Sequence, residues 1–208
     1  MGKFRDIDIL QYIYLNYLSK NVVHEGKGKV VPFRGAHVEL GENSKLIIHD
    51  DSIEIGLNKV KGSKTETLIR LRKGAIWNVK GYCGLSYGDT LEVNENAELN
   101  SNYFTMNSNS TIVVNKKISI GNDVMIGRNV IIYDSDFHAL NDRSVSEEVV
   151  IGDHVWIATN AMVLKGVHIG NGSVIAAGTI VKENVPEYVV IGSETKQKIL
   201  SENANWKR

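Results

Sequence analysis

The chain of 208 residues carries equal numbers of cationic and anionic side chains, with 24 Lys+Arg and 24 Asp+Glu. This balance gives no basic field of the kind that nucleic-acid binding requires, and the single cysteine, Cys83, excludes an intramolecular disulfide and fits a reducing compartment. The sequence shows neither an apolar run long enough to span a bilayer nor an uninterrupted apolar signal segment. We therefore expect one cytoplasmic domain over residues 1–208.

The N-terminal segment, residues 1–25, has the pattern of an amphipathic helix. Its apolar residues recur at steps of three and four, the spacing of one helical face, and Gly26 and Gly28 are expected to end the helix. We expect this helix to cap the open end of the fold that follows. Peripheral membrane attachment is the alternative, with little electrostatic support because two aspartates oppose the three cations of the segment. The apolar positions are Phe4, Ile7, Leu10, Ile13, Tyr14, Tyr17 and Leu18.

Residues 30–190 show apolar residues at a spacing of six. An α-helix has 3.6 residues per turn, so residues six positions apart do not stay on one face of it. The spacing predicts short strands joined by bends, with each hexad forming one wall of a parallel β-helix. The first apolar residue of each hexad should point to the axis, and the residue four positions later should fill the corner. The two ladders are Ile151, Ile157, Val163, Ile169, Ile175, Val181 and Val155, Ala161, Val167, Ser173, Thr179, Val185.

The ladder is weaker upstream and is interrupted once downstream. Residues 20–117 are less regular and are expected to line the approach to a site. The step from Ile132 to Ile151 is nineteen residues, three hexads plus one, which predicts an extruded loop near 139–150. Residues 193–208 are expected to form a C-terminal helix or arm. Turns between the rungs are expected at Gly152, Asp153, Gly170, Asn171, Gly172 and Gly178.

Three residues before the predicted loop could carry chemistry: Asp134, Asp136 and His138. If the chain is still extended there, the three side chains share a face. A histidine with a carboxylate within reach is the usual arrangement of a general base, because the acid fixes the tautomer and stabilises the imidazolium. Such an Asp-x-His is also common at turns and solvated edges, so the spacing alone does not assign catalysis.

Five strings between Ile118 and Lys182 occur in a fixed order. They are Ile120-Gly121-Asn122-Asp123-Val124, Asp136-Phe137-His138, Ile151-Gly152-Asp153-His154-Val155-Trp156-Ile157, Lys165-Gly166-Val167-His168-Ile169-Gly170, and Ile175-Ala176-Ala177-Gly178-Thr179 continuing to Val185-Pro186. In this order they resemble the hexapeptide-repeat acyltransferases, above all their galactoside, maltose and polysaccharide O-acetyltransferase branch. The resemblance implies an all-β, left-handed parallel β-helix. It also implies a homotrimer, with acetyl-CoA as co-substrate in the groove between neighbouring copies and no metal.

The resemblance also assigns catalytic roles by position. His138 matches the histidine that deprotonates the acceptor hydroxyl, so that the oxygen attacks the thioester directly and Cys83 is not needed. Asp136 is the carboxylate expected beside it. Asn107 matches the asparagine that stabilises the oxyanion, with Asn109 as its competitor because Asn109 fits the hexad phase of a corner residue.

Coenzyme contacts are implied in the same way. Thr159, Ala177 and Gly178 occupy positions where small side chains let the coenzyme lie against the coil. Trp156 is expected to face outward, as a trimer contact, as a wall of the site, or as both. Lys182 is a candidate partner of a coenzyme phosphate, although the family places its threonine-lysine pair one residue later. Lys196 is the alternative, with Lys198 beside it.

The function implied is transfer of an acetyl group from acetyl-CoA to a sugar hydroxyl, in the biosynthesis of capsule, lipopolysaccharide or a related glycan. One alternative is an N-acetyltransferase acting on a nucleotide-linked amino sugar, although residues 1–90 lack the G-x-G-x-x-G turn of a nucleotide-binding domain. A γ-type carbonic anhydrase-like metalloprotein would need three histidines around zinc, and the six histidines lack the usual paired spacing. A non-catalytic trimeric scaffold is the remaining class.

Overall fold

A computed structural model describes residues 6–139 and 145–193, and the chain there winds into seven coils of three short strands, followed by one last strand. The first four coils contain β1 (Val22–His24), β2 (Val30–Pro32), β3 (Ala36–Leu40), β4 (Lys45–Ile48), β5 (Ile53–Leu57), β6 (Thr67–Leu71), β7 (Ile76–Val79), β8 (Cys83–Ser86), β9 (Thr90–Val93), β10 (Glu98–Ser101), β11 (Phe104–Met106) and β12 (Thr111–Val114). The next three coils and the last strand contain β13 (Lys117–Ile120), β14 (Val124–Ile126), β15 (Ile131–Tyr133), β16 (Val149–Ile151), β17 (Trp156–Ile157), β18 (Met162–Val163), β19 (His168–Ile169), β20 (Val174–Ile175), β21 (Ile180–Val181) and β22 (Val190–Ile191).

Every strand pairs in parallel with the strand three elements earlier, except that β22 pairs with β20. The pairing generates three sheets, which form the three faces of a prism. Face one begins with β1, face two with β2 and face three with β3. The left-handed parallel β-helix predicted from the sequence is confirmed.

The two predicted ladders form the downstream part of the core of the prism. All twelve ladder positions are buried, and the corner ladder includes Ser173 and Thr179. In this part of the chain Ile151 pairs with Ile169, eighteen positions later, which is three hexads per coil. Burying one such Ile or Val side chain contributes about 1.5–3 kcal/mol to the free energy of unfolding. Because each hexad has one such inward position, this contribution favours an apolar residue at every sixth position.

Upstream coils are longer but complete. Trp77 pairs with Leu99, twenty-two positions later, and inward side chains of residues 22–114 are buried in the same core. The β-helix predicted over residues 30–190 therefore includes the less regular segment, in which the spacing varies because the coils differ in length. That this segment lines the approach to a site stays a prediction. Two coils carry insertions: residues 58–66, between β5 and β6, which the sequence interpretation missed, and residues 134–148, between β15 and β16, where a loop was predicted.

The N-terminal helix is shorter than predicted. An α-helix, α1 (Ile9–Ile13), continues into one π-helical segment, Tyr14–Leu18, and β1 already runs before Gly26. The prediction that Gly26 and Gly28 end the helix is wrong. Gly28 instead lies under the second coil, where a Cβ would collide with the carbonyl oxygen of Asp51.

The side of the helix that packs is also different from the predicted one. Leu15 and Asn16 are buried, whereas Leu10, Tyr14 and Leu18 of the predicted packing face are exposed. Asn16 fixes the helix on the first coil, because its amide donates to the carbonyl of Val30 and accepts from the N–H of Val30, at 2.7 and 2.9 Å. No helix of the described residues is long and apolar enough to cross a membrane. The predicted C-terminal arm lies outside the described residues, apart from its first residue.

Candidate active site

The corner between face three and face one of the fifth coil holds the first group of candidate residues, and it is called the His138 edge. Asp134 begins it. Its buried carboxylate accepts three backbone N–H groups of the preceding coil, from Asn115, Lys116 and Lys117, at 2.7, 2.8 and 2.6 Å. Burial raises the pKa of Asp134 above its usual value, while these hydrogen bonds act in the opposite direction. Asp134 therefore locks the base of the insertion onto the solenoid.

The chain turns sharply after Asp134 and Ser135. Phe137 has a left-handed φ of 60°, and the N–H of His138 donates to the carbonyl of Asp136 at 2.7 Å. The expectation that Asp134, Asp136 and His138 share one face is wrong, because that requires an extended chain. His138 is exposed, and its imidazole has no hydrogen-bond partner among the described residues.

Asp136 is paired with a lysine rather than with the imidazole. Its carboxylate lies 2.6 Å from Nζ of Lys165, a side chain that is only 18% exposed and that also lies 3.9 Å from a carboxylate oxygen of Glu147. Lys182 lies on the same edge, directly after β21, and is exposed. His138, Lys165 and Lys182 thus lie on the same edge of the prism. The catalytic role of Asp136 stays a prediction.

The corner between face two and face three holds the second group, and it is called the Asn107 edge. Here successive coils are stacked through backbone hydrogen bonds: Asn107 N–H to the carbonyl of Ile126, and Gly178 N–H to the carbonyl of Thr159, at 2.9 Å each. Asn107, Thr159, Ala177 and Gly178 are all exposed on this edge. The structure therefore brings the predicted oxyanion donor and the predicted coenzyme contacts into one line.

Two backbone donors on the Asn107 edge are available to a ligand. Within the described residues, the N–H groups of Thr159 and Ala177 donate to no protein acceptor, and both residues are exposed. Gly178, at φ 73°, has open space outside its Cα. A coenzyme with amide carbonyls along its arm could lie on this surface and accept from both donors.

The amide of Asn107 keeps a free hydrogen. Its Nδ2 donates one hydrogen bond, to the carbonyl of Ile126 at 3.2 Å, and an amide nitrogen carries two hydrogens. Asn109 is a corner residue in the left-handed conformation, at φ 65°, as its hexad phase predicts. The geometry is thus compatible with Asn107 as donor and gives Asn109 a turn role.

Trp156 faces outward on face two, as predicted. It is 49% exposed and lies next to Met125, its partner in the preceding coil, which is 51% exposed. Val174 follows in the next coil, and Val190 beyond it is 74% exposed. An apolar column therefore runs along face two beside the Asn107 edge, and these side chains are only partly covered within one chain.

The two edges are separated by the width of face three. One strand with its flanking residues spans roughly 15 Å at about 3.3 Å per residue. The candidates consequently fall into two groups, with His138, Asp136 and Lys182 on one edge and the others on or beside the second. Lys196 and Lys198 lie outside the described residues.

Three His–carboxylate pairs of the described residues were missed by the sequence interpretation: His37–Glu66 at 3.3 Å, His49–Glu25 at 3.6 Å, and His154–Asp123. Nδ1 of His154 lies 2.6 Å from the carboxylate of Asp123 in the preceding coil, on the edge between face one and face two. The two residues are 31 positions apart, and only the stacking register reveals the contact. His168 lies elsewhere, on face one. No group of three or more His, Cys, Asp or Glu residues in 6–139 and 145–193 could hold a metal ion.

Comparison with known proteins identifies a hexapeptide repeat in the downstream part of the chain. Residues 148–183 match the bacterial transferase hexapeptide model, of six repeats, and the resemblance predicted from the sequence is confirmed over this segment. A chloramphenicol acetyltransferase of Klebsiella aerogenes is 38% identical over 61 residues, which are 29% of each chain. A putative lipopolysaccharide biosynthesis O-acetyl transferase of Escherichia coli, WbbJ, is 48% identical over 46 residues, 22% of this chain and 24% of that protein.

A solved structure shares the fold along most of the chain. The polySia-specific acetyltransferase NeuO is 23% identical, with a TM-score of 0.50, over 91% of this chain and 90% of that chain. The matched segments of the two curated relatives, in contrast, span less than a third of their length. The chain is thus a parallel β-helix whose residues 148–183 match the hexapeptide-repeat model, and the relatives it resembles are acetyltransferases by name.

Proposed function

We propose that the protein is an acetyl-CoA-dependent O-acetyltransferase that acts on a sugar hydroxyl of a capsular, lipopolysaccharide or related glycan, in the cytoplasm. The observation that carries the proposal is the exposed imidazole of His138, on the insertion that immediately precedes the hexapeptide repeats at 148–183. The names of the curated relatives support acetyl transfer, and NeuO and WbbJ are named for glycan-related acetylation.

The proposed chemistry needs only one proton carrier. The imidazole of His138 accepts the proton of the acceptor hydroxyl while that oxygen bonds to the thioester carbon. Asn107 donates its free amide hydrogen to the oxyanion that forms. When the intermediate collapses, the C–S bond breaks and the imidazolium returns the proton to the leaving thiolate.

The separation of the two edges supports a site built from two copies. His138 and Asn107 lie on different edges of the prism, and reacting groups must approach to about 3–3.5 Å. The His138 edge of one copy facing the Asn107 edge of a neighbour would bring them together. The apolar column of Trp156, Met125 and Val190 beside the Asn107 edge would be covered in the same contact, which favours the homotrimer implied by the resemblance.

Acetyl-CoA would then lie between the copies. The free N–H groups of Thr159 and Ala177 would hold the coenzyme arm, Trp156 would form one wall, and Lys182 of the facing edge would contact a phosphate. These residues fit a coenzyme that is long, amide-containing and anionic. The thioester is the acyl donor in this scheme, and the chain itself forms no acyl intermediate.

The test is thiol release from acetyl-CoA with a panel of acceptors: glycan hydroxyls, a nucleotide-linked amino sugar and chloramphenicol. We expect a glycan acceptor, with one added acetyl group by mass spectrometry. Replacing His138 by Ala should lower kcat by about 10²–10⁴-fold, the usual contribution of a general base, and leave the Kd for coenzyme A unchanged.

The matched control is His168→Ala, which removes another exposed histidine from face one. It should leave kcat within a factor of two of the native value. Retention of most of the rate by His138→Ala would contradict the assignment of the base. Thiol release with the amino sugar alone would replace O-acetylation by N-acetylation as the function.

A further inference from the structure

The solvent side of the N-terminal helical segment is apolar along its whole length. Six large side chains between residues 9 and 18 are exposed, from 43% at Ile13 to 83% at Leu10, and none is charged. This surface is called the cap face. Its members are Ile9, Leu10, Ile13, Tyr14, Tyr17 and Leu18.

The cap face cannot turn inward, because the opposite side of the helix is already bound. Leu15 is 1% exposed and belongs to the core. Asn16 is buried and pairs with both the N–H and the carbonyl of Val30 on the edge strand of the first coil. Gln11 donates to the carbonyl of Ala36 at 2.9 Å. Rotating the helix to bury Leu10 would break these contacts.

The size of the cap face matches one half of a specific protein interface. Six side chains of about 200 Å² each, exposed by three-fifths on average, amount to roughly 700 Å². The largest apolar patch of an ordinary monomer is about 300–600 Å², and a standard interface buries about 800 Å² per partner. The cap face is therefore large enough to account for most of one partner's share.

We propose that the occupant is the cap face of a second copy of this chain, packed about a two-fold axis. The six side chains of the cap face carry no charge, so the face of one copy can pack on that of another with Lys29 at its margin, over the ring of Tyr17. An isologous contact buries the same patch on both partners. The helix lies on the first coil, so the two solenoids would extend away from each other. Rings of three copies would be joined into assemblies of six.

A lipid surface fits the observations less well. Helices that lie on membranes usually carry Lys and Arg along their polar face. Here the polar side of the helix is bound to the solenoid, and the charges near the cap face are mixed. Asp6 precedes it, Lys20 and Glu25 follow it, and Nζ of Lys29 lies 5.3 Å from the ring centroid of Tyr17. This arrangement offers little attraction to anionic headgroups.

The test is the mass of the full chain in solution, by light scattering during gel filtration over a concentration series. The double variant Leu10→Glu/Leu18→Glu should have half the native mass. Its melting temperature should stay close to the native value, because these side chains leave the core untouched. The matched control, Tyr188→Asp, removes a side chain that is 77% exposed at the other end of the solenoid and should keep the native mass.

A cross-link gives a second, independent measurement. Residues near a two-fold axis lie beside their own copies, so at least one of Leu10→Cys, Tyr14→Cys and Leu18→Cys should form a disulfide-linked dimer under mild oxidation. Cys83 is buried and should not contribute. An unchanged mass in the double variant, with no cross-linked dimer, would overturn the proposal.

Two further outcomes have defined meanings. Co-sedimentation of the native chain with phosphatidylglycerol vesicles, lost in the double variant and without any change in mass, would make lipid the occupant and refute the self-contact. Halved mass with a normal acetyltransferase rate would support the self-contact and separate it from the catalytic proposal, on which it does not depend.

Discussion

Removing the Asp134 carboxylate should destabilise the protein strongly, because this carboxylate accepts three backbone hydrogen bonds. In the Asp134→Ala variant, three backbone N–H groups, from Asn115 to Lys117, lose their acceptor. An unsatisfied buried donor costs about 1–3 kcal/mol. Asn115 and Lys117 are partly exposed and Lys116 is exposed, so the lower end of that range applies to each donor. We expect the free energy of unfolding to fall by about 3 kcal/mol.

The control uses the same residue type in an exposed corner. Asp153 accepts the N–H of Asn122 at 2.7 Å, and water can replace that acceptor, so Asp153→Ala should cost no more than about 1 kcal/mol. Asp134→Asn keeps one acceptor oxygen and should fall between the two alanine variants. Unfolding would be followed by circular dichroism in urea, with midpoints compared because stacked coils need not unfold in two states.

The reasoning would be refuted by equal midpoints for Asp134→Ala and Asp153→Ala. Equality would mean that burial of the carboxylate costs as much as its three hydrogen bonds return. An Asp134→Asn variant more stable than the native protein would lead to the same conclusion.

Three other changes should be measurable. Burial raises the pKa of Asp89 to about 8, well above its unfolded value near 3.9. The free energy of unfolding is therefore highest below about pH 4 and falls by up to about 5 kcal/mol as the pH rises to about 8, because only the folded chain keeps the Asp89 proton in this range. Asp89→Asn should flatten this part of the pH profile of the urea midpoints. An unaltered profile in the variant would contradict the raised pKa. Burial raises the pKa of the Cys83 thiol to about 12, so iodoacetamide at pH 8 should label it only in denaturant, and labelling of the native chain would show that the site opens. Gly178→Ala places a side chain at φ 73° and should cost about 1–2 kcal/mol, whereas Gly178→Asn should cost less, as seen by thermal unfolding.

The β-helix could be predicted because its signal is local and repeated. From Ile151 to Val185 each hexad contributes one inward and one corner residue. A coil of eighteen residues is three such hexads with no additional residues between them. In longer coils the inward residues no longer recur at every sixth position, because additional residues lie between the strands. Trp77 and its partner Leu99, for example, are twenty-two positions apart. The insertion at 58–66 was missed because the ladder on either side of it is weak.

The site was harder to predict, because it depends on which coil stacks on which. The Asp136–Lys165 pair joins residues 29 positions apart, and its existence follows from the register across the insertion. The left-handed turn at Phe137 is formed without a glycine, so nothing in the sequence indicated it. The predicted line of Thr159, Ala177 and Gly178 came from the resemblance, and the stacking on one edge is what the structure adds.

The direction of the N-terminal helix shows a different limit. Periodicity revealed an apolar side but not what that side meets. The polar contacts of Asn16 with Val30 decided the orientation, and an asparagine in the helix carries no obvious sign of that role. The apolar residues were consequently assigned to the wrong side.

The stacking of the coils fixes the distances between residues along the Asn107 edge. Successive coils are about 4.8 Å apart, and Asn107, Thr159 and Ala177 lie in the fourth, sixth and seventh of them. Deleting the twenty residues after Asn107, which make up one coil because Met106 pairs with Ile126 twenty positions later, would leave the other coils stacked and would bring Asn107 one coil spacing closer to Thr159 and Ala177. Under the proposed function, the distance that the acyl donor spans along the edge is therefore set in whole coils, and it can change only in steps of that length.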